Sequence, residues 1–230
     1  MEAIILAGGK AERLGDAAGG LPKPLVPIAG RALAAWQVGL LHRAGVDRVI
    51  VSCNQGSGEQ FEAALDGLGV EIAIAEESER LGRGGGIRFA ARMRKEGAET
   101  LALNGDELLD VDFAALLEHH RTNRVAATIT VAQPKSPFGV VELDGERVRG
   151  FAEGGTIECW VSCGVYALGE EALARFPERG DHETTAFPEL AAEGKLGAFR
   201  HEGLWLTVNT PKDLRVAEEY VSAHPEWLGA

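Results

Sequence analysis

At 230 residues the chain accommodates one large domain or two small ones, and 45% hydrophobic with 25% charged content matches a soluble globular protein, which excludes global disorder. Lys plus Arg number 23 against 35 Asp plus Glu, a net charge of −12, which argues against a sequence-independent grip on DNA or RNA, where clustered cations are needed. Thirty glycines and only 6% aromatics point instead to many tight turns and to places where backbone comes close to a ligand.

In chain order, the apolar run Ala3 to Ala7 is stopped by Gly8-Gly9, the signature of a buried strand in a parallel sheet. A proline-rich loop through Pro22, Pro24 and Pro27 follows, then a helix over 32–44 that stops at Gly45, with Trp36 on its core face. Strands are expected at 48–52, 70–74 and 100–103, with helices over 58–66 and 85–96 between them. This alternation predicts an open parallel sheet with helices on both faces. Beyond it, 126–131, 139–143, 148–151, 161–167 and 203–208 read as strands, 170–175 and 186–193 as short helices. A helix over 211–223 has Thr210 at its N-cap and Pro211 at its first position. With no linker or repeat, one domain is expected, a nucleotide-binding half over 1–112 and a second half over 113–230 that extends the same sheet. His119 and His120 are expected at the surface, Lys135 and Arg149 in solvent.

Cys53, Cys159 and Cys163 are odd in number and carry no zinc spacing, so they are expected to be buried or half-buried structural thiols. No stretch approaches the roughly 18 apolar residues of a membrane span. A reducing cytoplasm and no membrane partner are the matching expectations.

Three segments carry chemistry. The first strand feeds Gly8-Gly9, whose backbone N–H groups can reach phosphates at the carboxyl end of a sheet, with Arg13 four residues on. The common phosphate-loop patterns, G-x-x-x-x-G-K-[ST] and G-x-G-x-x-G, are absent. Pro22-Lys23-Pro24-Leu25 holds one cation between two rigid residues; the simpler alternative is a turn with a solvated lysine. Leu103-Asn104-Gly105-Asp106 ends a central strand, and a carboxylate there suits Mg²⁺, although Asn-Gly-Asp would also make an ordinary turn.

Together, Leu6-Ala7-Gly8-Gly9 with Arg13-Leu14, Pro-Lys-Pro-Leu, and Leu-Asn-Gly-Asp followed by Asp110-Val111-Asp112 resemble the sugar-1-phosphate nucleotidylyltransferases, or NDP-sugar pyrophosphorylases. The resemblance continues through Leu81-Gly82-Arg83-Gly84-Gly85-Gly86, Phe138-Gly139-Val140-Val141, Phe151-Ala152-Glu153, Ser162 to Tyr166, Glu183 to Leu190, and Trp205 to Leu214. It covers nearly the whole chain and is nearest to the short mannose-1-phosphate guanylyltransferase-like group. It implies an α/β, Rossmann-like (GT-A-like) fold, mostly parallel, with an added antiparallel sugar-side subsheet. It also implies condensation of a nucleoside triphosphate with a sugar 1-phosphate, mannose- or heptose-like, to an NDP-sugar and pyrophosphate.

By that resemblance Arg13 neutralises the triphosphate, Lys23 lies between the two reacting phosphates, and Mg²⁺ is held by Asp106 and one further oxygen. Many members carry Asp at the position of Thr207, others Asp or Asn at that of Asn209. Residues two apart on a strand face one side, so Asn209 is expected to replace the missing carboxylate. Leu6, Ala7, Gly8, Gly9, Glu77, Gly82 and Asn104 fall on the nucleotide side; Gly139, Glu153 and Ser162 fall on the sugar side. Glu77 stands where pyrimidine readers often have Gln. A carboxylate accepts both adjacent donors of guanine but faces the two carbonyls of uracil or thymine unfavourably, which favours GTP. The alternative is that Glu76, Glu77 and Glu79 form a solvated acidic loop.

The chain also departs from the pattern. Ala11 and Glu12 replace Gly and Thr or Ser, and Ser162 replaces Asn. Gly154-Gly155 replaces Lys-Pro, so a cation toward the sugar phosphate is lost or comes from Lys10, Lys135 or Arg83. These departures keep two alternatives open. One is a uridylyl-, thymidylyl- or cytidylyltransferase for another sugar or a non-sugar phosphate, such as an inositol phosphate or molybdopterin. The other is a catalytically weak, nucleotide-sugar-binding regulatory subunit. Monomer and homo-oligomer are both compatible with the sequence.

Overall fold

A computed structural model describes every residue except 10, 96, 98, 137 and 225–230. Lys10 therefore lies outside the described residues, as does the last residue of the helix expected over 85–96. The strands are β1 (Glu2–Leu6), β2 (Pro27–Ile28), β3 (Arg31–Ala32), β4 (Arg48–Asn54), β5 (Glu71–Glu77), β6 (Glu99–Asn104), β7 (Glu107–Leu109), β8 (Ala127–Ala132), β9 (Gly139–Asp144), β10 (Arg147–Glu153), β11 (Val161–Gly169), β12 (Leu196–Arg200) and β13 (Trp205–Thr207). The helices are α1 (Leu33–Arg43), α2 (Gly58–Leu65), α3 (Gly82–Ala91), α4 (Phe113–Asn123), α5 (Glu170–Arg175), α6 (Ala186–Ala192) and α7 (Pro211–Ala223).

Seven strands form one sheet in the order β12-β8-β11-β6-β1-β4-β5. Only β11 runs antiparallel to its neighbours. The expected mostly parallel sheet is therefore present, and the second half extends it through β8, β11 and β12. The alternation of buried positions divides the core in two. Ala3, Ile5, Val49, Val51, Leu101 and Leu103 pack with Val38, Phe61 and Leu116 of α1, α2 and α4. Ile4, Ile50, Ala102 and Tyr166 pack with Ile87, Leu173 and Leu190 of α3, α5 and α6. Each large side chain buried this way contributes about 1.5–3 kcal/mol. The antiparallel additions are three separate ribbons, β2–β3, β9–β10 and β7–β13.

α7 begins as its sequence dictates. Thr210 accepts from the Asp213 N–H, Asp213 reaches back to the Thr210 N–H, and Pro211 occupies the first turn. Trp36 is buried at 1% exposure, as expected.

Three expectations are corrected. His120 is buried, its Nδ1 2.9 Å from Thr128 Oγ1, because α4 turns that edge onto β8, while His119 is half-buried with its ring edge against Phe199. Cys159 is exposed, unlike Cys53 and Cys163, because it lies in the irregular segment before β11. α3 starts at Gly82, not at 85, so Gly82 and Gly84, expected to precede the helix, lie in its first turn. Packing overrides their poor helix propensity: a Cβ at Gly84 would lie 2.7 Å from the His182 N and 2.9 Å from the Pro177 ring. Gly84→Ala is accordingly expected to lower stability by about 1–3 kcal/mol, read as a fall in Tm of several degrees. An unchanged Tm would show that the 177–182 loop yields freely.

Candidate active site

The last residues of four neighbouring parallel strands, Leu6 of β1, Asn54 of β4, Glu77 of β5 and Asn104 of β6, line one cavity of about 560 Å³ at the carboxyl edge of the sheet. Such an edge is where α/β sheets bind ligands. Gly8, Gly9, Arg13, Lys23, Gly82 and Asp106 line the same cavity, together with Arg80, Arg83 and Glu107. Among the nucleotide-side residues expected from the sequence, only Ala7 is outside the lining: it is buried, and its N–H donates to the Ser52 carbonyl at 2.6 Å.

The glycine turn is built to leave donors free. The Gly8 carbonyl accepts from Asn54 Nδ2 at 3.1 Å and the Gly9 carbonyl from the Lys23 N–H at 3.4 Å. Among the described residues the N–H groups of Gly8 and Gly9 take no protein acceptor, and a Cβ at Gly9 would meet nothing within 4 Å. Arg13 is exposed and makes no ion pair among the described residues.

Lys23 arrives on a short 3-10 turn, Lys23–Leu25, anchored by buried Leu25 and Val26. That turn packs on the 104–106 turn because Gly105 has no side chain: a Cβ there would lie 2.5 Å from the Leu6 carbonyl and 2.8 Å from Pro24. The result is a lysine only 8% exposed, its Nζ donating to Asp106 Oδ2 at 2.7 Å and to Asn209 Oδ1. Asn209 stands just past β13, its backbone N–H held by Asp213. Thr207 lines a neighbouring cavity of about 760 Å³, shared with Lys135, Trp160 and Trp205.

The two oxygens that hold the ammonium are hard donors, one carboxylate and one amide. They have already gathered around a cation, so Asp106 and Asn209 fit a magnesium ion. Asn104 Oδ1 is buried and has no partner among the described residues, and the Asn104 amide lies against Gly164, whose φ of 70° and missing Cβ admit it.

Glu77 is the buried end of β5, at 7% exposure, and not part of a solvated loop, while Glu76 and Glu79 are exposed. Its Oε1 accepts from Ser52 Oγ at 2.8 Å and its Oε2 from the Leu81 N–H at 3.0 Å. Each oxygen keeps a second lone pair.

Gly139 and Glu153 are directly paired across the β9–β10 ribbon, with the exposed Phe151 ring over Gly139. Ser162 is in β11, its Oγ accepting from the Gly164 N–H at 3.3 Å. None of these three lines the cavity that holds Lys23. Of the three cations considered for the place beside Gly154-Gly155, Arg83 is committed to Asp181 and Glu183, Lys135 is exposed, laddered to Thr156 and without an ion pair among the described residues, and Lys10 lies outside the described residues.

Two site residues escaped sequence reasoning. Gln37, in the middle of α1, donates to the carbonyls of Asn104 and Glu107, both at 2.8 Å, and so fixes the turn that carries Asp106. Glu107, 7% exposed, accepts from Trp205 Nε1 at 2.9 Å. Burial, then the adjacent Asp106, pushes its carboxyl from 4.5 up to about 8 against the pull of Trp205 and Lys23. Its folded value exceeds its unfolded one, so the unfolded chain loses this proton first as pH rises. The metal-free protein is expected to lose stability from pH 4.5 to about 8 and then level off, with Glu107→Gln removing that part of the slope. Tm curves that keep the same slope in both proteins across this window would contradict the assignment.

A cavity at the carboxyl edge of a mostly parallel sheet, lined by a glycine turn, arginines, a buried lysine and its paired oxygens, gives the α/β architecture of an enzyme that handles phosphates. The chain belongs to the nucleotidyl transferase family, whose family model matches residues 2–223. It is 30% identical over 246 residues to the mannose-1-phosphate guanyltransferase beta-A of Xenopus laevis, covering 100% of this chain and 68% of that protein. It is 32% identical over 226 residues to the mannose-1-phosphate guanylyltransferase of Mycobacterium tuberculosis, covering 93% of this chain and 62% of that protein. The chain thus spans about two thirds of these relatives.

Among solved structures, HddC from Yersinia pseudotuberculosis has the same fold, with a TM-score of 0.76 at 23% identity over 95% of this chain and 98% of that one. A second structure of HddC, complexed with GMP-PN, gives 0.73 at 23% identity, with the same coverage of both chains. The inositol-1-phosphate CTP transferase of T. maritima gives 0.73 at 21% identity, over 94% of this chain and 93% of that one. The resemblance to sugar-1-phosphate nucleotidylyltransferases and the expected fold class are both borne out. No helix among the described residues is long and apolar enough to cross a membrane.

Proposed function

We propose that this protein is a Mg²⁺-dependent guanylyltransferase that joins GTP to a mannose- or heptose-like sugar 1-phosphate, releasing pyrophosphate. The observation that carries this reading is the convergence of Gly8, Gly9, Arg13, Lys23, Glu77 and Asp106 on one cavity. The names of the relatives from Xenopus laevis and Mycobacterium tuberculosis support the sugar and the base.

A sugar-phosphate oxygen attacks the α-phosphorus in line, forming the new P–O bond as the bond to the pyrophosphate oxygen breaks. The attacking phosphate is already ionised, so no protein nucleophile or base is required, and catalysis consists of positioning and charge stabilisation. The free N–H groups of Gly8 and Gly9 cradle the triphosphate, and Arg13 neutralises it on the leaving side. Lys23 lies between the α-phosphate and the incoming phosphate. Asp106 and Asn209 would hold Mg²⁺, which supplies charge neutralisation to the phosphate oxygens. Gly139, Glu153 and Ser162 serve the sugar side, with Lys135 replacing the cation missing at Gly154. The reaction takes place in a cytoplasmic compartment, with neither nucleic acid nor membrane as partner.

A pyrophosphate-release screen of five nucleotides against a panel of sugar 1-phosphates tests this. GTP with a manno-configured sugar 1-phosphate is expected to give the highest rate. Nucleotide binding without pyrophosphate release from any pair would mark a nucleotide-sugar-binding subunit instead.

A further inference from the structure

The start of α3 lines the cavity through Gly82 and Arg83, and the 177–183 segment docks behind it, where the Gly180 N–H donates to the Leu81 carbonyl at 2.7 Å. Their carboxylates are all committed. Glu77 is held by Ser52 and Leu81, Glu79 pairs with Arg179, Asp181 and Glu183 both pair with Arg83, and Glu178 faces Arg88 and Arg92. Arg80 lines the same cavity, three residues after Glu77, exposed and with no ion pair or hydrogen bond among the described residues. This guanidinium is held by no acid among the described residues, so it can turn to a ligand without breaking an ion pair.

Its place in the fold says which part of a nucleotide it meets. Arg80 follows β5, whereas the glycine turn follows β1, and β4 lies between them. Asp106 and its partner Lys23 lie past β6, one strand further again, and three strand spacings are about 14 Å, so Arg80 stands on the β5 side of the cavity with Glu77, whose carboxylate reaches back to 3.9 Å from where a Cβ would stand on Gly8, and across the cavity from the Lys23–Asp106 pair.

We infer that Arg80 is a specificity-determining residue that donates to N7 and O6 of guanine, on the edge next to the one that Glu77 reads. The inference rests on the guanylyl function proposed above. Guanine presents two acceptors, N7 and O6, at the spacing of two guanidinium N–H groups, and two donors, N1–H and the N2 amine, that suit a carboxylate. One acid and one arginine thus cover both edges. Adenine would turn an amine toward Arg80 and an acceptor nitrogen toward Glu77, and pyrimidines have no N7.

The test is calorimetric binding of GTP, 7-deaza-GTP, ITP, UTP and inorganic pyrophosphate to the wild-type chain and to Arg80→Ala, whose exposed position keeps folding out of the result. The wild-type chain is expected to bind GTP about tenfold more tightly than 7-deaza-GTP. Arg80→Ala is expected to bind those two equally while keeping the preference for GTP over ITP that Glu77 sets. An unchanged ratio of GTP to 7-deaza-GTP in Arg80→Ala overturns the inference. So does an equal loss of affinity for GTP, UTP and pyrophosphate, which would place Arg80 on phosphate. A wild-type chain that binds UTP as tightly as GTP overturns the guanylyl reading itself, whereas a GTP preference with an unchanged ratio removes Arg80 alone.

Discussion

Lys23→Ala is expected to lower kcat/KM by about 100- to 10,000-fold, with Asp106→Ala in the same range, as loss of a preorganised charge at a transition state does. Two anions must be brought into contact, and the repulsion between them is felt most where water is excluded. In the proposed reaction that task falls to Lys23, which is positioned by its surroundings and not by its own flexibility. Pro22 and Pro24 fix the turn, Gly105 lets it pack on the turn that carries Asp106, and the ammonium is only 8% exposed. Lys23→Met keeps the apolar stem and removes only the charge, so it separates electrostatics from packing. Equal loss in the Ala and Met variants is expected. Pyrophosphate release under saturating nucleotide checks this, and wild-type turnover in either variant would remove the ammonium from the mechanism.

Glu77→Gln is expected to lower the ratio of kcat/KM for GTP over UTP by about 10- to 100-fold, in line with the 1–3 kcal/mol that one well-made bidentate base contact is worth. The substitution is tolerated by its surroundings. A Gln oxygen can accept from the Leu81 N–H, and its amine can donate to Ser52 Oγ, whose own proton then goes to the Gly86 carbonyl 3.2 Å away. What changes is the edge presented to the base, from two acceptors to an acceptor and a donor. Uracil and thymine, with carbonyls either side of one N–H, match the new edge. An unchanged base ratio in Glu77→Gln would move base selection elsewhere in the cavity.

The first half of the chain was legible in the sequence because its signals are local. An apolar strand ending in glycines, a lysine between prolines and a strand ending Asn-Gly-Asp each specify their own turn, and the parallel sheet gathers those turns at one edge. The features that escaped depend on contacts far apart in the chain. Gln37 reads as a polar interruption of α1 until the carbonyls of Asn104 and Glu107 lie against it. Glu107 reads as a turn acid until Trp205, 98 positions away, reaches it. β12 has little apolar alternation and exists because β8 offers it an edge. α3 begins at Gly82 because Gly84 and Gly85 must let the 177–182 backbone approach, a reason that no helix propensity carries.

A crystal structure with Mg²⁺, a non-reactive GTP analogue and mannose 1-phosphate tests the central claim most directly. The account predicts the triphosphate on the Gly8 and Gly9 N–H groups, Lys23 moved from Asn209 to oxygens of both reacting phosphates, and Asp106 and Asn209 oxygens about 2.1 Å from the metal. A triphosphate bound out of reach of Arg13, Lys23 and Asp106, with the lysine still locked between Asp106 and Asn209, would contradict it.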